Sequence, residues 1–176
     1  MERKGFTLWF TGLPSSGKST LADDLADRMR GMGLKVERLD GDIVRKSLTK
    51  DLGFSREDRR KNLERVTFVA KLLSRNGVAV LCSFVSPYRD VRSWIRGEID
   101  DFVLVYVKAP VEACIERDPK GNYRKALAGE IKEFTGVDDP YEEPEDAEIV
   151  VETTKYSVEE CNEQIITKLR ELGYLG

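Results

Sequence analysis

Histidine is absent from all 176 residues. Without an imidazole there is no Ser-His-Asp triad, no histidine general base near neutral pH and no His-ligated zinc. Chemistry in this chain must rest on carboxylates, lysine, arginine, backbone amides and oxygen-held metal. Cysteine is scarce as well. Cys82, Cys114 and Cys161 stand far apart, with no CxxC and no metal-ligand spacing, so they read as small buried hydrophobes in reduced form. No apolar run approaches the roughly 18 residues that span a bilayer, which argues against a membrane role. An excess of positive charge is lacking too: 29 basic residues face 32 acidic ones, a net charge of −3, and nucleic-acid surfaces need the opposite balance. The first residues, Met1-Glu-Arg-Lys-Gly, run straight into an apolar segment with no signal-peptide core. The expected location is the cytoplasm.

What is present is a regular alternation. Residues 1–176 suit a single domain by length, and short apolar strand candidates recur at Thr7 to Thr11, Val36 to Leu39, Val78 to Phe84, Phe102 to Val107 and Glu148 to Val151. Amphipathic patterns lie between them, with Leu21, Leu25, Met29 and Met32 on one helix face and Leu63, Val66, Ala70 and Leu73 on another. Ser157 with Glu160 three residues on predicts a capping box at the start of a terminal helix ending near Leu172. The fold class that follows is α/β, three layers around a central parallel five-stranded sheet. From about 117 to 146 the rhythm breaks into Gly, Pro and charge, too long for a plain connection. This stretch is expected to be a lid over the site, the alternative being a solvated surface loop. Seven acids between Asp138 and Glu148 read as its solvated, self-repelling flank.

Gly12-Leu13-Pro14-Ser15-Ser16-Gly17-Lys18-Ser19-Thr20 matches GxxxxGK[ST] and sits between an apolar strand and a helix start, as the motif requires. Glycines let successive backbone N–H groups turn around a polyphosphate, and the helix behind them adds about half a positive charge. Lys18 is placed to reach the β- and γ-phosphates of ATP, and Ser19 to offer its hydroxyl to Mg²⁺. The motif defines a P-loop NTPase fold without separating kinases from other members. An NKxD guanine signature is absent, which favours a small-molecule kinase. Asp40-Gly-Asp42 follows the second strand at the edge where such sheets bind ligands. Asp40 is expected in the metal shell beside Ser19, and Asp42 as general base for the acceptor hydroxyl. The same three residues would equally make a turn with a helix N-cap. Arg45, Phe54, Arg59, Asn62 and Arg65 form a second cluster, suited either to an oxyanion or to a salt-bridged helix face.

Six separated segments resemble adenylylsulfate kinase: Asp40-Gly-Asp42, Asp51-Leu-Gly-Phe54-Ser, Asp58-Arg59 with Asn62, Ser83-Phe-Val85-Ser86-Pro-Tyr-Arg89, Arg117-Asp-Pro-Lys120-Gly, and Phe134-Thr-Gly-Val-Asp-Asp-Pro-Tyr141. The resemblance implies phosphoryl transfer from Mg-ATP to the 3′-hydroxyl of adenosine 5′-phosphosulfate. It further implies that Phe54 and Phe134 sandwich the acceptor's adenine, and that Arg45, Arg59 and Asn62 hold its phosphosulfate and ribose. Val85 and Ser86 would line the acceptor, Ser86 being the family's phosphoserine position, and Lys120 would descend with the lid. A homodimer, and a tie to ATP sulfurylase as domain or partner, are implied in the same way. The chain departs from the family pattern at Ile43 and Leu127, where Asn and Arg are usual. Two other readings stay open: a different nucleotide-linked acceptor, or a non-catalytic nucleotide sensor.

Overall fold

The computed structural model describes residues 3–176. Five parallel strands form its centre in the order β2-β3-β1-β4-β5: β1 (Phe6–Thr11), β2 (Val36–Asp40), β3 (Ala79–Ser83), β4 (Phe102–Lys108) and β5 (Ile149–Glu152). All six residues of β1 are buried, because a central parallel strand is covered on both faces. The sequence there, Phe-Thr-Leu-Trp-Phe-Thr, accordingly places large apolar side chains on both faces rather than on one. Leu8 lies opposite Leu81 of β3 on one side and Val103 of β4 on the other.

Alternate side chains of β1 feed two cores. Phe6, Leu8 and Phe10 meet Leu21, Leu25 and Met29 of α1 (Lys18–Gly31) and Ile165 and Leu169 of α7 (Val158–Glu171). Trp9 points the other way, into Val66 and Ala70 of α3 (Arg56–Arg75) and Val91 and Ile95 of α4 (Arg89–Glu98). The three-layer α/β expectation is met, and each expected strand lies within a residue of its place. Ser157 and Glu160 form the expected capping box, each backbone amide donating to the other's side chain at 2.8–3.1 Å. Cys82, Cys114 and Cys161 are free and buried. Truncating Leu25, which has no exposed surface, to alanine should lower unfolding free energy by about 2–5 kcal/mol. Urea unfolding at equilibrium measures it, and a loss well below 1 kcal/mol would contradict this packing.

The chain leaves the central β1 for the edge strand β2, returns to β3, and only later crosses to β4 on the far side. That reversal opens a crevice beyond the carboxyl ends of β1 and β3, the place where open α/β sheets take their ligands. Short helices complete the rim: α2 (Gly41–Val44) after β2, then α5 (Val111–Arg117) and α6 (Asn122–Leu127) after β4.

The acid-rich stretch from Asp138 to Glu148 corrects an expectation. Asp138, Glu143, Glu145 and Asp146 are exposed, as a solvated flank requires, but the stretch is not left to repel itself. Arg89, Arg92 and Arg96, spaced three and four apart on α4, share one helix face and bind it. Arg89 donates from Nε to the Glu143 carbonyl at 2.9 Å and pairs with Glu145 at 3.3 Å. Arg96 pairs with Glu148 and, at 3.4 Å, with Asp146. The neutralising cations come from about 50 residues upstream, so charge pattern within the stretch could not reveal them.

Candidate active site

The bend from Gly12 to Gly17 is held in shape by close approach and by outside donors. A Cβ on Gly12 would stand 2.5 Å from the Val107 carbonyl and 2.8 Å from Ser16 Oγ, so a larger residue cannot occupy that position unchanged. Ser15 and Gly17 both take left-handed backbone, at φ 65° and 107°, turning the peptide units within the bend. Tyr123 Oη donates to the Pro14 carbonyl at 2.8 Å, and Thr153 Oγ1 and Arg117 donate to the Ser16 carbonyl at 2.7 and 3.1 Å. Gly17 caps α1 without a side chain, and no acid occupies the first turn. The positive end of a 14-residue helix is thereby left for an anion.

Lys18 closes the cradle. Its Nζ donates to the Gly12 and Leu13 carbonyls at 2.9 and 2.7 Å, and burial lowers its pKa to about 8. At the tip of β2, Asp40 caps the next helix and also meets Ser19. Oδ1 accepts the Asp42 amide at 3.0 Å, capping α2, while Oδ2 accepts Ser19 Oγ at 2.6 Å and Ser83 Oγ at 2.7 Å. Burial pushes the Asp40 carboxyl up, but hydrogen bonds from Ser19, Ser83 and the Asp42 amide, with Arg38 nearby, hold it below the usual range. A hydroxyl and an ionised carboxylate in contact form an all-oxygen donor set suited to a hard divalent cation. Among the described residues no cluster of three His, Cys, Asp or Glu could hold a metal unaided. Asp42 is exposed and ion-paired with Lys120 from the 117–146 stretch.

The second cluster is divided by the structure. Arg45 stacks its guanidinium 4.2 Å over the ring of Phe54, which is 66% exposed, and donates to the Gly53 carbonyl at 3.0 Å. Burial, and after it the positive charge of Arg59, lowers the Arg45 pKa. The positive charge of Arg59 therefore disfavours that of Arg45, as a nearby like charge does. Arg59 reaches the 117–146 stretch, donating to the Glu133 carbonyl and to Asp139 Oδ2 at 3.3 Å. Asn62, one turn on, is buried, and its side-chain oxygen has no partner, an unusual state for a buried acceptor. Arg65 takes the salt-bridge alternative. It grips Asp51 bidentately at 2.7 and 2.9 Å, and that bond is the first cause that draws the Asp51 carboxyl down to about 2.

Phe134 packs edge-on against the buried Tyr123, ring centres 5.0 Å apart, so it anchors its loop to the residue that also holds Pro14. Val85 and Ser86 follow β3. Ser86 is buried, in left-handed backbone at φ 41°, and its Oγ donates to the Phe84 carbonyl at 3.0 Å and accepts from Trp9 Nε1 at 3.1 Å. Arg38, Tyr123 and Thr153 were not singled out from the sequence, and Ser83 was named only as the first residue of a family-like segment. Their only local signal is a polar side chain at a strand tip or inside a helix, which carries no functional mark without the tertiary contact.

A strand, a glycine bend, an uncapped helix end with its lysine, and a hydroxyl–carboxylate pair at the sheet's switch point define a P-loop phosphotransferase. Comparisons narrow the class. A family model described as adenylylsulphate kinase matches residues 4–152. A probable adenylyl-sulfate kinase of Pseudomonas aeruginosa is 59% identical over 168 residues, 96% of this chain and 78% of that one. An adenylyl-sulfate kinase of Picosynechococcus is 53% identical over 99% of both chains. The solved structure of a Mycobacterium tuberculosis APS kinase in complex with AMPPNP and APS is 40% identical, with a TM-score of 0.91 over 96% of this chain and 99% of that one. The chain belongs to the adenylylsulphate kinase family and is an enzyme.

Proposed function

We propose that the protein transfers the γ-phosphoryl group of ATP to the 3′-hydroxyl of adenosine 5′-phosphosulfate, yielding 3′-phosphoadenosine 5′-phosphosulfate and ADP. The observation that carries this reading is the uncapped α1 N-terminus with Lys18, beside Asp40, which bonds Ser19 and leads directly into α2 with Asp42 and, at its end, Arg45. One side suits a triphosphate and the other a second anionic nucleotide, as ATP-to-nucleotide transfer requires. The N-terminal amides of α1 and Lys18 bind the β- and γ-phosphates and balance charge on the moving group. Asp42 accepts the proton of the attacking hydroxyl. Ser19 and Asp40 would hold Mg²⁺, which supplies charge neutralisation at the β- and γ-oxygens. Arg45 and Arg59 pair with the phosphosulfate, Asn62 Oδ1 accepts from the ribose, and the Val85–Ser86 backbone lines the same wall. Phe54 and Phe134 stack the acceptor's adenine, and Lys120 joins the site with the 117–146 lid. Ser86 acts here through its backbone, because its buried hydroxyl donates to the Phe84 carbonyl and a phosphate on Oγ would remove that donor.

Protein mixed with Mg-ATP and adenosine 5′-phosphosulfate should form ADP and the 3′-phosphorylated nucleotide in equal amounts. Binding of both ligands with no transfer would instead make the chain a sensor. Phe134→Ala should raise the acceptor KM by about tenfold with little change in kcat, since stacking on one base contributes roughly 1–3 kcal/mol. Steady-state kinetics with ATP saturating checks it, and an unchanged acceptor KM removes Phe134 from the site. One observation favours another acceptor: Ile43 and Leu127 are 57% and 61% exposed, apolar where the family pattern carries polar groups. Faster turnover in a panel of other nucleotide acceptors would establish that alternative. A cytoplasmic homodimer, linked to ATP sulfurylase as partner or as a neighbouring domain, completes the reading. Sedimentation showing only monomers would remove the dimer.

A further inference from the structure

Arg92 is a charge that the reaction does not use. It is 4% exposed, and among the described residues no carboxylate lies within ion-pair distance of it, whereas Arg89 and Arg96 on the same helix face both have one. A buried guanidinium left without a counter-ion is costly unless its donors are engaged. They are engaged, and by backbone. NH1 donates to the Ser86 carbonyl at 2.6 Å, and NH2 donates to the Glu142 carbonyl. The guanidinium also lies 5.6 Å from the ring centre of Tyr141.

The bonds around it close into a ring. Tyr141 Oη shares a hydrogen bond with Thr11 Oγ1 at 2.9 Å, and Thr11 Oγ1 meets the Val85 carbonyl at 2.7 Å and the Ser86 carbonyl at 3.4 Å. The Glu142 amide donates to the Pro87 carbonyl at 2.9 Å. Thr11 is the last residue of β1, immediately before the phosphate bend. Ser86 is a non-glycine residue in left-handed backbone, a conformation that persists only where its surroundings fix it. Three pieces of the site therefore meet at one guanidinium: the tip of β1, the loop after β3, and the segment at 141–142 where the lid stretch joins its strap on α4.

We propose that Arg92 is a positioning residue for the acceptor: by holding the Ser86 and Glu142 carbonyls together it fixes the 85–87 loop against the root of the lid, without touching either nucleotide. The proposal rests on the acceptor reading given above. A planar fork suits two carbonyls in fixed directions, and lysine, with a single ammonium, supplies the charge without the geometry. This predicts an effect divided unequally between the substrates. The phosphate bend is built on β1 and α1 and keeps its own bonds, so ATP binding is spared, whereas the acceptor meets a loosened wall.

The test compares wild type, Arg92→Lys, Arg92→Met and Tyr141→Phe in melting temperature, KM for each substrate, and hydrogen exchange of the Glu142 amide in free protein. Arg92→Met should raise the acceptor KM about tenfold, the scale of one lost charge-assisted hydrogen bond, with ATP KM within about twofold. Arg92→Lys should fall between wild type and Arg92→Met. Exchange at Glu142 should quicken while amides in the middle of β1 stay protected. Proportional rises in both KM values, or faster exchange everywhere, would make Arg92 a general stabiliser and overturn the proposal, as would no change at all. Where Arg92→Met does not fold, Arg92→Lys and Tyr141→Phe are judged by the same split. Wild type inactive on adenosine 5′-phosphosulfate would fail the functional reading instead. The exchange pattern, which needs no substrate, then decides on Arg92 alone.

Discussion

Lys18→Met should lower kcat by about 10²–10³, the loss produced by removing one preorganised donor from the charge that develops in a transition state. Methionine keeps the length and apolar stem of lysine while deleting the ammonium, so the buried slot stays filled. In the structure that ammonium is bonded to the Gly12 and Leu13 carbonyls, and a triphosphate would compete for it. Its depressed pKa gives a second readout. Burial holds Lys18 near 8, so between pH 8 and the ordinary lysine value near 10.4 the free protein carries it largely neutral. Bound phosphate charge favours the ammonium form, and ATP binding in that window should take up a proton. Calorimetry in two buffers of different ionisation heat measures the uptake. It should disappear in Lys18→Met, and equal turnover by the two proteins would remove Lys18 from the chemistry.

The sheet was legible because every strand but the edge ones is covered on both faces. An apolar run such as Phe6 to Phe10 has no competing reading once a glycine bend ends it and an amphipathic pattern follows. The phosphate cradle was legible for a related reason. Its residues are consecutive, and backbone geometry ties each to its neighbour. The second cluster was only half legible, since the pattern around Arg45, Arg59, Asn62 and Arg65 fits two fates. The structure divides them: Arg65 grips Asp51, Arg59 reaches Glu133 and Asp139, and Arg45 stacks on Phe54. Nothing within α3 distinguishes Arg59 from Arg65. The difference is that Arg65 finds Asp51, whereas Arg59 meets Asp139, 80 residues further along the chain.

What sequence reading missed is consistently long-range. Helix α4 carries an apolar face through Val91 and Ile95, but over 10 residues the pattern is short and heavily charged. Its three arginines acquire meaning only against a strap about 50 residues downstream. Ser83 and Arg38 gain theirs only because β2 and β3 are neighbours, so that Asp40 stands opposite Ser83 in register. The Asp-Gly-Asp turn shows a different lesson: the helix N-cap forms and does not compete with contact to Ser19, since a carboxylate has two oxygens. One caps α2 and the other reaches Ser19.

That division of labour separates the two acids experimentally. Asp42→Asn should reduce kcat by about 10²–10⁴, the usual contribution of a positioned general base, while ATP affinity and melting temperature stay near wild type. Three features support this split. The Asp42 side chain is exposed, its own amide is held by Asp40 rather than by its carboxylate, and its ion pair with Lys120 lies at the surface, where such pairs add little stability. Asp40→Asn should behave differently. Its carboxylate accepts from Ser19, Ser83 and the Asp42 amide and lies 3.5 Å from Arg38, so the amide must leave two hydroxyl donors facing a weaker or reversed partner. Melting temperature should therefore fall along with turnover, and the Mg²⁺ concentration needed for half-maximal rate should rise. Comparison of the two variants in kcat, thermal unfolding and metal titration decides the assignment. If Asp42→Asn retains wild-type kcat, or if both variants shift the metal requirement equally, the proton acceptor is not Asp42 and the base must be sought elsewhere on the crevice rim.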